Sequence, residues 1–158
     1  MRVGIGYDAH RLLEGRPLIL GGVVVPYHLG LAGHSDGDVL VHAIIDALLG
    51  AAALGDIGHH FSSDDPQYEN ISSLFLLARV RDLLADHGWQ VRNVDATIVA
   101  ERPRLAPYVH QMRQAVGAHL GLEPDLISIK ATTTDGMGFA GREEGISAQA
   151  IVLIEPVQ

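Results

Sequence analysis

The chain contains no cysteine, a single lysine (Lys130) and only 5% aromatic residues, and charged residues make up just 19% of it. Without cysteine there is no disulfide framework, no thiolate nucleophile and no thiolate ligand for zinc or an iron–sulfur cluster. Cations are scarce: eleven against 19 acidic residues leave a net charge of −8. That balance excludes a protein that coats nucleic acid or an anionic membrane. Long hydrophobic runs are missing as well. The most apolar stretch, Val39 to Leu54, is too short to span a bilayer and carries His42 and Asp46, so it reads as a helix buried in protein. No basic region followed by an apolar run follows Met1, and the expected location is the cytoplasm.

What is present is a greasy chain of 158 residues, 47% apolar, with a mean hydropathy of +0.19. Area scaling for its mass leaves about 7,700 Å² exposed of roughly 24,500 Å² in the unfolded chain, enough for a core without staples. No linker, repeat or low-complexity tract divides it, so residues 1–158 are expected to form one domain. Nine histidines stand out. Any transition metal held by a cysteine-free chain must be held by histidine and carboxylate.

Val3 to His10 alternates with period two, a strand pattern. Pro17 to Pro26 is a second β stretch broken at Gly21-Gly22, and Leu29 to Gly37 is a loop ending at Asp36 and Asp38, either of which suits the cap of the helix that runs to about Leu54. Gly55 to Glu69 is a polar irregular stretch. An amphipathic helix starts at Ser72 or Ser73 and closes at Gly88, followed by a strand over Trp89–Ala100, a helix over Leu105–Leu120, a strand over Leu126–Thr134, a loop to Gly145 and a last strand over Ile146–Ile154. That order predicts an α+β two-layer sandwich, a mixed sheet of four to five strands covered by helices on one face. The last strand is apolar on both faces, so the other face is expected to be buried in a homo-oligomer.

Four clusters suit chemistry. Asp8 and His10 share one side of a strand, and His42 lies on a helix with Asp38 and Asp46 four residues away on either side. One carboxylate with two imidazoles is an open, catalytic type of zinc set, with Asp38 or Asp46 to orient His42; the same residues equally suit a surface pair and a hydrogen-bonded core histidine. His34 and Ser35 stand beside a helix N-terminus, where an anion or a simple cap fits. In the third cluster, the tandem His59-His60 diverge, whereas Asp56 and Ser62 to Asp65 suit a polyol as well as they suit solvent. Thr132-Thr133-Thr134-Asp135 ends a strand with hydroxyls and an acid, fit for phosphate and a hard cation or for an ordinary turn. Arg142 is a candidate anion clamp. No activated nucleophile accompanies them, which favours phosphoryl chemistry in which the substrate or water attacks.

The stretches GIGYDAHRL, LILGGVVVPY, GLAGHSDGDVLVHAIIDALLGAAALGDIG, NVDATIVAERPRLAPY and IKATTTDGMGFAGREEGI cover nearly the whole chain in order. Together they resemble the 2-C-methyl-D-erythritol 2,4-cyclodiphosphate synthases of the non-mevalonate isoprenoid pathway. The resemblance implies a metal-dependent phosphorus–oxygen lyase: the 2-phosphate of 4-diphosphocytidyl-2-C-methyl-D-erythritol 2-phosphate attacks the β-phosphorus, and CMP leaves. It implies zinc on Asp8, His10 and His42, and a second cation, Mg²⁺ or Mn²⁺, at Asp135, where that family carries Glu. His34 and Thr133 match positions that stabilise the transition state, with Ser35 beside the phosphates. Asp56, Ile57 and Gly58, with Phe61, Ser62, Ser63, Asp64 and Asp65, match the erythritol loop. Ala100, Glu101, Arg102, Pro103, Arg104, Leu105 and Ala106, with Thr132, match a cytidine pocket supplied by the neighbouring subunit of a homotrimer, and Thr134 adjoins the phosphate-facing threonines. Phe139 and Arg142 match residues near a central cavity that takes isoprenoid diphosphates. The rival readings are a phosphohydrolase using the same ligands and a trimeric binding module without catalysis.

Overall fold

The computed structural model describes residues 1–158. A long strand β1 (Arg2–Leu13) leads into β2 (Leu18–Leu20) and β3 (Val23–Val25), which pair across Gly21-Gly22, and into the two-residue β4 (Gly30–Leu31). Helix α1 (Val39–Ala52), a short α2 (Ile57–His60) and α3 (Ser73–Asp86) follow. The second half runs β5 (Trp89–Val99), α4 (Val109–Leu120), β6 (Ile127–Thr132), a four-residue α5 (Gly138–Gly141) and β7 (Gly145–Pro156). The main sheet has the order β4-β1-β7-β5-β6, with β5 and β6 parallel and the other pairs antiparallel. The mixed sheet thus has five strands, and α1, α3 and α4 lie on one face of it.

The sheet residues facing those helices are buried, Ile146, Ala148, Ala150, Val152 and Ile154 on β7 with Val94, Ala96 and Ile98 on β5; on β7 alternation sets in only after Ala148, because Gly145 and Ser147 are buried as well. Helix α1 is the centre of the core, with twelve of its fourteen residues buried. Its backbone lies directly on β1. A Cβ added to Gly4 would come within 1.9 Å of the Ala47 carbonyl oxygen, and one on Gly6 within 1.9 Å of that of Ala43. Only glycine permits this approach, and it brings His42 on α1 down to Asp8 and His10 on the same face of β1.

The glycine side of β1 therefore faces the core, and its apolar side faces outward. Val3, Ile5, Tyr7 and Ile151 are 67, 72, 53 and 51% exposed, and Ile5 stands opposite Ile151 in register. The last strand, apolar on both sides, is covered on one side only within the chain. Three boundaries also differ from the sequence pattern. Ala106–Tyr108, which holds Pro107, forms a separate 3₁₀ turn, so the helix expected from Leu105 begins at Val109. The Gly55–Glu69 stretch and the Asp135–Gly145 loop contain the short α2 and α5. No helix is long and apolar enough to cross a membrane.

Candidate functional site

Asp8 Oδ2 lies 2.8 Å from His10 Nε2 and 3.1 Å from His42 Nδ1, and those two nitrogens are 3.2 Å apart. His10 donates its Nδ1–H to the Ala32 carbonyl at 2.5 Å, so its Nε2 offers a lone pair toward the other two atoms. A four-coordinate zinc with bonds of about 2.0–2.1 Å separates its ligand atoms by about 3.3 Å, and this triangle fits it with one position left for substrate. No other group of His, Asp and Glu converges this way. The electrostatics agree with a site built for positive charge. Burial alone would raise the Asp8 pKa, but the neighbouring imidazoles of His10 and His42 hold it well below the usual carboxylate range. Burial works against the charged form of His10, and the Asp8 carboxylate overrides it, raising the imidazole pKa.

The expectation that Asp38 or Asp46 orients His42 does not hold. Asp38 is fully buried as the N-cap of α1, accepting from Val41 N at 3.1 Å and from Gly21 N and Gly22 N at 3.0 and 2.7 Å. It ties the β2–β3 turn to the helix start, and burial together with the Asp36 carboxylate pushes its pKa up to about 6. Asp46 accepts the Ile57 N–H at 2.8 Å and tethers α2. The groups that meet His42 Nε2 are hydroxyls, Ser73 Oγ at 2.8 Å and Ser35 Oγ at 3.1 Å. Asp36, the other cap candidate, serves α3 instead, accepting from Ser73 N at 3.0 Å. Nothing in the spacing pointed to Ser73, which lies 31 residues from His42 and reads in sequence only as a helix start.

A cavity of about 210 Å³ opens above the triangle, lined also by His34, Ser35, Ile57, Gly58, Phe61 and Ser63. Tyr68 and Leu76 complete its wall, two residues the sequence did not single out; the Tyr68 ring meets Phe61 edge-on at 5.4 Å. His34 donates from Nε2 to the Asp65 carbonyl at 2.8 Å, which pins the end of the loop. Asp56, Ser62, Asp64 and Asp65 are not among the lining residues; Asp56 caps α2 through His59 N at 2.9 Å, and Asp65 holds Gln67 N at 3.0 Å. His60 donates to the Leu54 carbonyl at 2.6 Å and His59 stands edge-on to it, so the tandem pair forms no ligand set.

A second cavity of about 470 Å³ is lined by Ala100, Glu101, Arg102, Pro103, Arg104, Leu105 and Ala106 with Ala131, Thr132 and Thr133. The register shows how it relates to the first. Asp8 is level with Ala148, Ala148 with Ile98, and Ile98 with Ala131. Both cavities therefore sit at the same end of the sheet, with Asp8 and Ala131 three strand spacings, about 14 Å, apart. Within one chain His34 and Thr133 line different cavities. Thr134 and Asp135 lie beyond both, where Asp135 takes φ +52° and its Oδ1 is 3.5 Å from Thr133 Oγ1. Phe139 lines a third hollow of about 200 Å³ with His10 and Arg11, and Arg142 pairs with Glu144 at 3.1 Å beside it.

Residues 1–155 match the YgbB family model. The chain is 63% identical, over 98% of its length and 99% of the relative's, to the 2-C-methyl-D-erythritol 2,4-cyclodiphosphate synthase of Syntrophomonas wolfei. Among solved structures it superposes on the bifunctional IspDF of Campylobacter jejuni with a TM-score of 0.96 at 38% identity, covering 99% of this chain and 42% of that one. It also superposes on the CDP complex of IspF from Plasmodium falciparum with a TM-score of 0.86 at 29% identity, covering 99% of this chain and 97% of that one.

Proposed function

The chain belongs to the YgbB family of 2-C-methyl-D-erythritol 2,4-cyclodiphosphate synthases, and on that premise we propose that it makes this cyclic diphosphate from 4-diphosphocytidyl-2-C-methyl-D-erythritol 2-phosphate with release of CMP. An oxygen of the 2-phosphate forms a new bond to the β-phosphorus as the bond from that phosphorus to the oxygen shared with the α-phosphate breaks. That oxygen departs with CMP. The substrate supplies the nucleophile, so a chain with no cysteine and no activated serine lacks nothing. The convergence of Asp8 Oδ2, His10 Nε2 and His42 Nδ1 at the base of a cavity of about 210 Å³ is the observation that carries the reading.

Asp8, His10 and His42 are proposed to hold zinc, and Asp135 a second cation, Mg²⁺ or Mn²⁺. Bound cations would withdraw charge from the phosphoryl oxygens as it builds up. Ser35, 8% exposed at the cavity wall, offers its hydroxyl to a phosphate oxygen, and His34, anchored through Nε2, faces the same space. Ile57, Gly58 and Phe61, with Ser63 and the rim residues Asp56, Ser62, Asp64 and Asp65, enclose the erythritol. Ala100 to Ala106 with Thr132 receive the cytidine, Thr133 and Thr134 the phosphates.

Residues 1–158 act as one domain and associate as a homotrimer in this reading. Two observations support it. The outward row of Val3, Ile5, Tyr7 and Ile151 is an apolar sheet face that water does not suit. Each cavity by itself holds only nine of the matching residues, and a neighbouring copy would bring the two groups together. A trimer axis beside this face would enclose Phe139 and Arg142 around a space for an isoprenoid diphosphate.

Incubating the purified protein with the cytidyl substrate, zinc and magnesium tests the function. Equimolar CMP and cyclic diphosphate are expected. A linear bisphosphate product would overturn the reading in favour of a hydrolase, and tight ligand binding without CMP release would favour a binding module. A solution mass three times that of the chain is expected alongside.

A further inference from the structure

Behind His42, on the side away from Asp8 and His10, lie two residues with no part in the chemistry above. Ser73, the first residue of α3, is fully buried, and its Oγ stands 2.8 Å from His42 Nε2. The same hydroxyl stands 2.5 Å from Asp36 Oδ1, while Asp36 Oδ2 accepts the Ser73 backbone N–H at 3.0 Å. A hydroxyl has one proton, and an ionised carboxylate can only accept. The Ser73 proton therefore goes to Asp36, and the Ser73 oxygen can only accept from the imidazole. Ser73, the nearer partner, therefore favours a hydrogen on Nε2, which leaves the lone pair on Nδ1. Ser35 Oγ at 3.1 Å is the more distant partner of the same nitrogen and also faces the Gly37 N–H at 3.4 Å.

We propose that Asp36 and Ser73 are positioning residues for the metal: they hold His42 in the Nε2–H tautomer and so commit Nδ1 as the third ligand. This rests on the reading of Asp8, His10 and His42 as the ligand set. The alternative tautomer is a real competitor, because it would place an Nδ1–H 3.1 Å from Asp8 Oδ2 and close the site with a hydrogen bond. With the Ser73 proton committed to Asp36, that arrangement leaves Nε2 and Ser73 Oγ facing each other as two acceptors in a buried space. The Asp36 carboxylate that starts α3, 37 residues before Ser73 in sequence, thus also selects the ligand atom on α1.

The test is zinc titration of the metal-stripped protein against a competing chelator. Ser73→Ala keeps the backbone N–H on Asp36 but removes the acceptor, and its zinc affinity should fall about 10- to 100-fold. Asp36→Asn should fall comparably, because its amide donates to Ser73 Oγ and turns the hydroxyl proton toward His42. The double variant should bind no more weakly than the weaker single one, since Asp36 acts through Ser73. Thermal melts of the stripped variants report whether they fold, and ¹⁵N shifts of the stripped wild type, independent of any variant, should show His42 as Nε2–H. An Nδ1–H signal there, zinc affinity within about twofold of wild type in Ser73→Ala, or additive losses in the double variant would overturn the proposal. His42→Ala separates the two layers of inference: if it abolishes zinc binding while Ser73→Ala does not, the positioning role alone falls. If His42→Ala still binds zinc like the wild type, the ligand set falls and takes the positioning role with it.

Discussion

The two cavities share one end of one sheet and are built in opposite ways. At the first, β1, α1 and the start of α3 each contribute side chains, and the outer nitrogens of both imidazoles already have partners. At the second, most of the wall is one continuous loop, Ala100 to Ala106, with a strand end beside it, and Arg102 is paired only with Glu143 at 3.3 Å. Crossed, packed elements fix ligand atoms more precisely than loops do, which suits a zinc site. A nucleotide is large and is held by many weaker contacts, so a loop suffices. Substitutions should therefore hurt most where the geometry is tightest.

Removing a ligand from the first cavity should have the largest effect. His42→Ala is expected to lower turnover by roughly a thousandfold or more, because charge stabilisation of several kcal/mol goes with the ligand. Bound zinc should disappear with it while the solution mass stays unchanged, and elemental analysis together with light scattering checks both. Retained zinc would refute the ligand set.

The next experiment asks whether the two cavities serve each other across chains. His42→Ala and Thr133→Ala are each expected to be nearly inactive, yet subunits mixed by denaturation and refolding should recover about a quarter of the wild-type rate. In randomly assembled symmetric rings that fraction of interfaces joins an intact first cavity to an intact second one. No recovery would mean that each chain works with its own pair of cavities.

Acidity should distinguish the cavities more gently. In the metal-free protein the pKa of His10 is raised above 6.5 by Asp8, against the effect of burial. Its protonated form contributes stability that is fully present below 6.5 and lost as pH rises through the raised value. Zinc competes with that proton, so zinc affinity should rise over the same interval. Melts with and without zinc from about pH 5.5 to 8 should therefore diverge as pH increases, and a constant gap would contradict this. The smallest change belongs to the loop. Arg104→Lys keeps the charge and should raise KM only a few-fold, on the order of 1 kcal/mol, with kcat unchanged; a fall in kcat would show that this cavity is as exacting as the first.

Much of this was legible in the order of residues. Asp8 and His10 two apart on a strand, and His42 on an almost wholly apolar helix, were legible as a candidate set that spacing alone left open against a surface pair and a core histidine, while the strand–helix order pointed to the mixed sheet with helices on one side. The orienting partner of His42 was not legible. Asp38 and Asp46 have the helical spacing, but both carboxylates are consumed by backbone N–H groups, and the hydroxyl that reaches His42 comes from another helix. The facing of β1 was not legible either, because Val3, Ile5 and Tyr7 look like the core side until α1 is seen resting on Gly4 and Gly6.

The sequence by itself therefore determined which residue types are available and how they repeat along each element, because side-chain direction follows local periods of 2.0 and 3.6 residues. From that came the strands, the helices, the carboxylate–imidazole set and the absence of a nucleophile. Long-range packing chose which of two plausible faces is the inner one, which hydroxyl steers a ring nitrogen, and that His34 and Thr133 line different cavities within one chain. Those outcomes depend on contacts between segments distant in sequence, and close packing selects among them only when the elements meet.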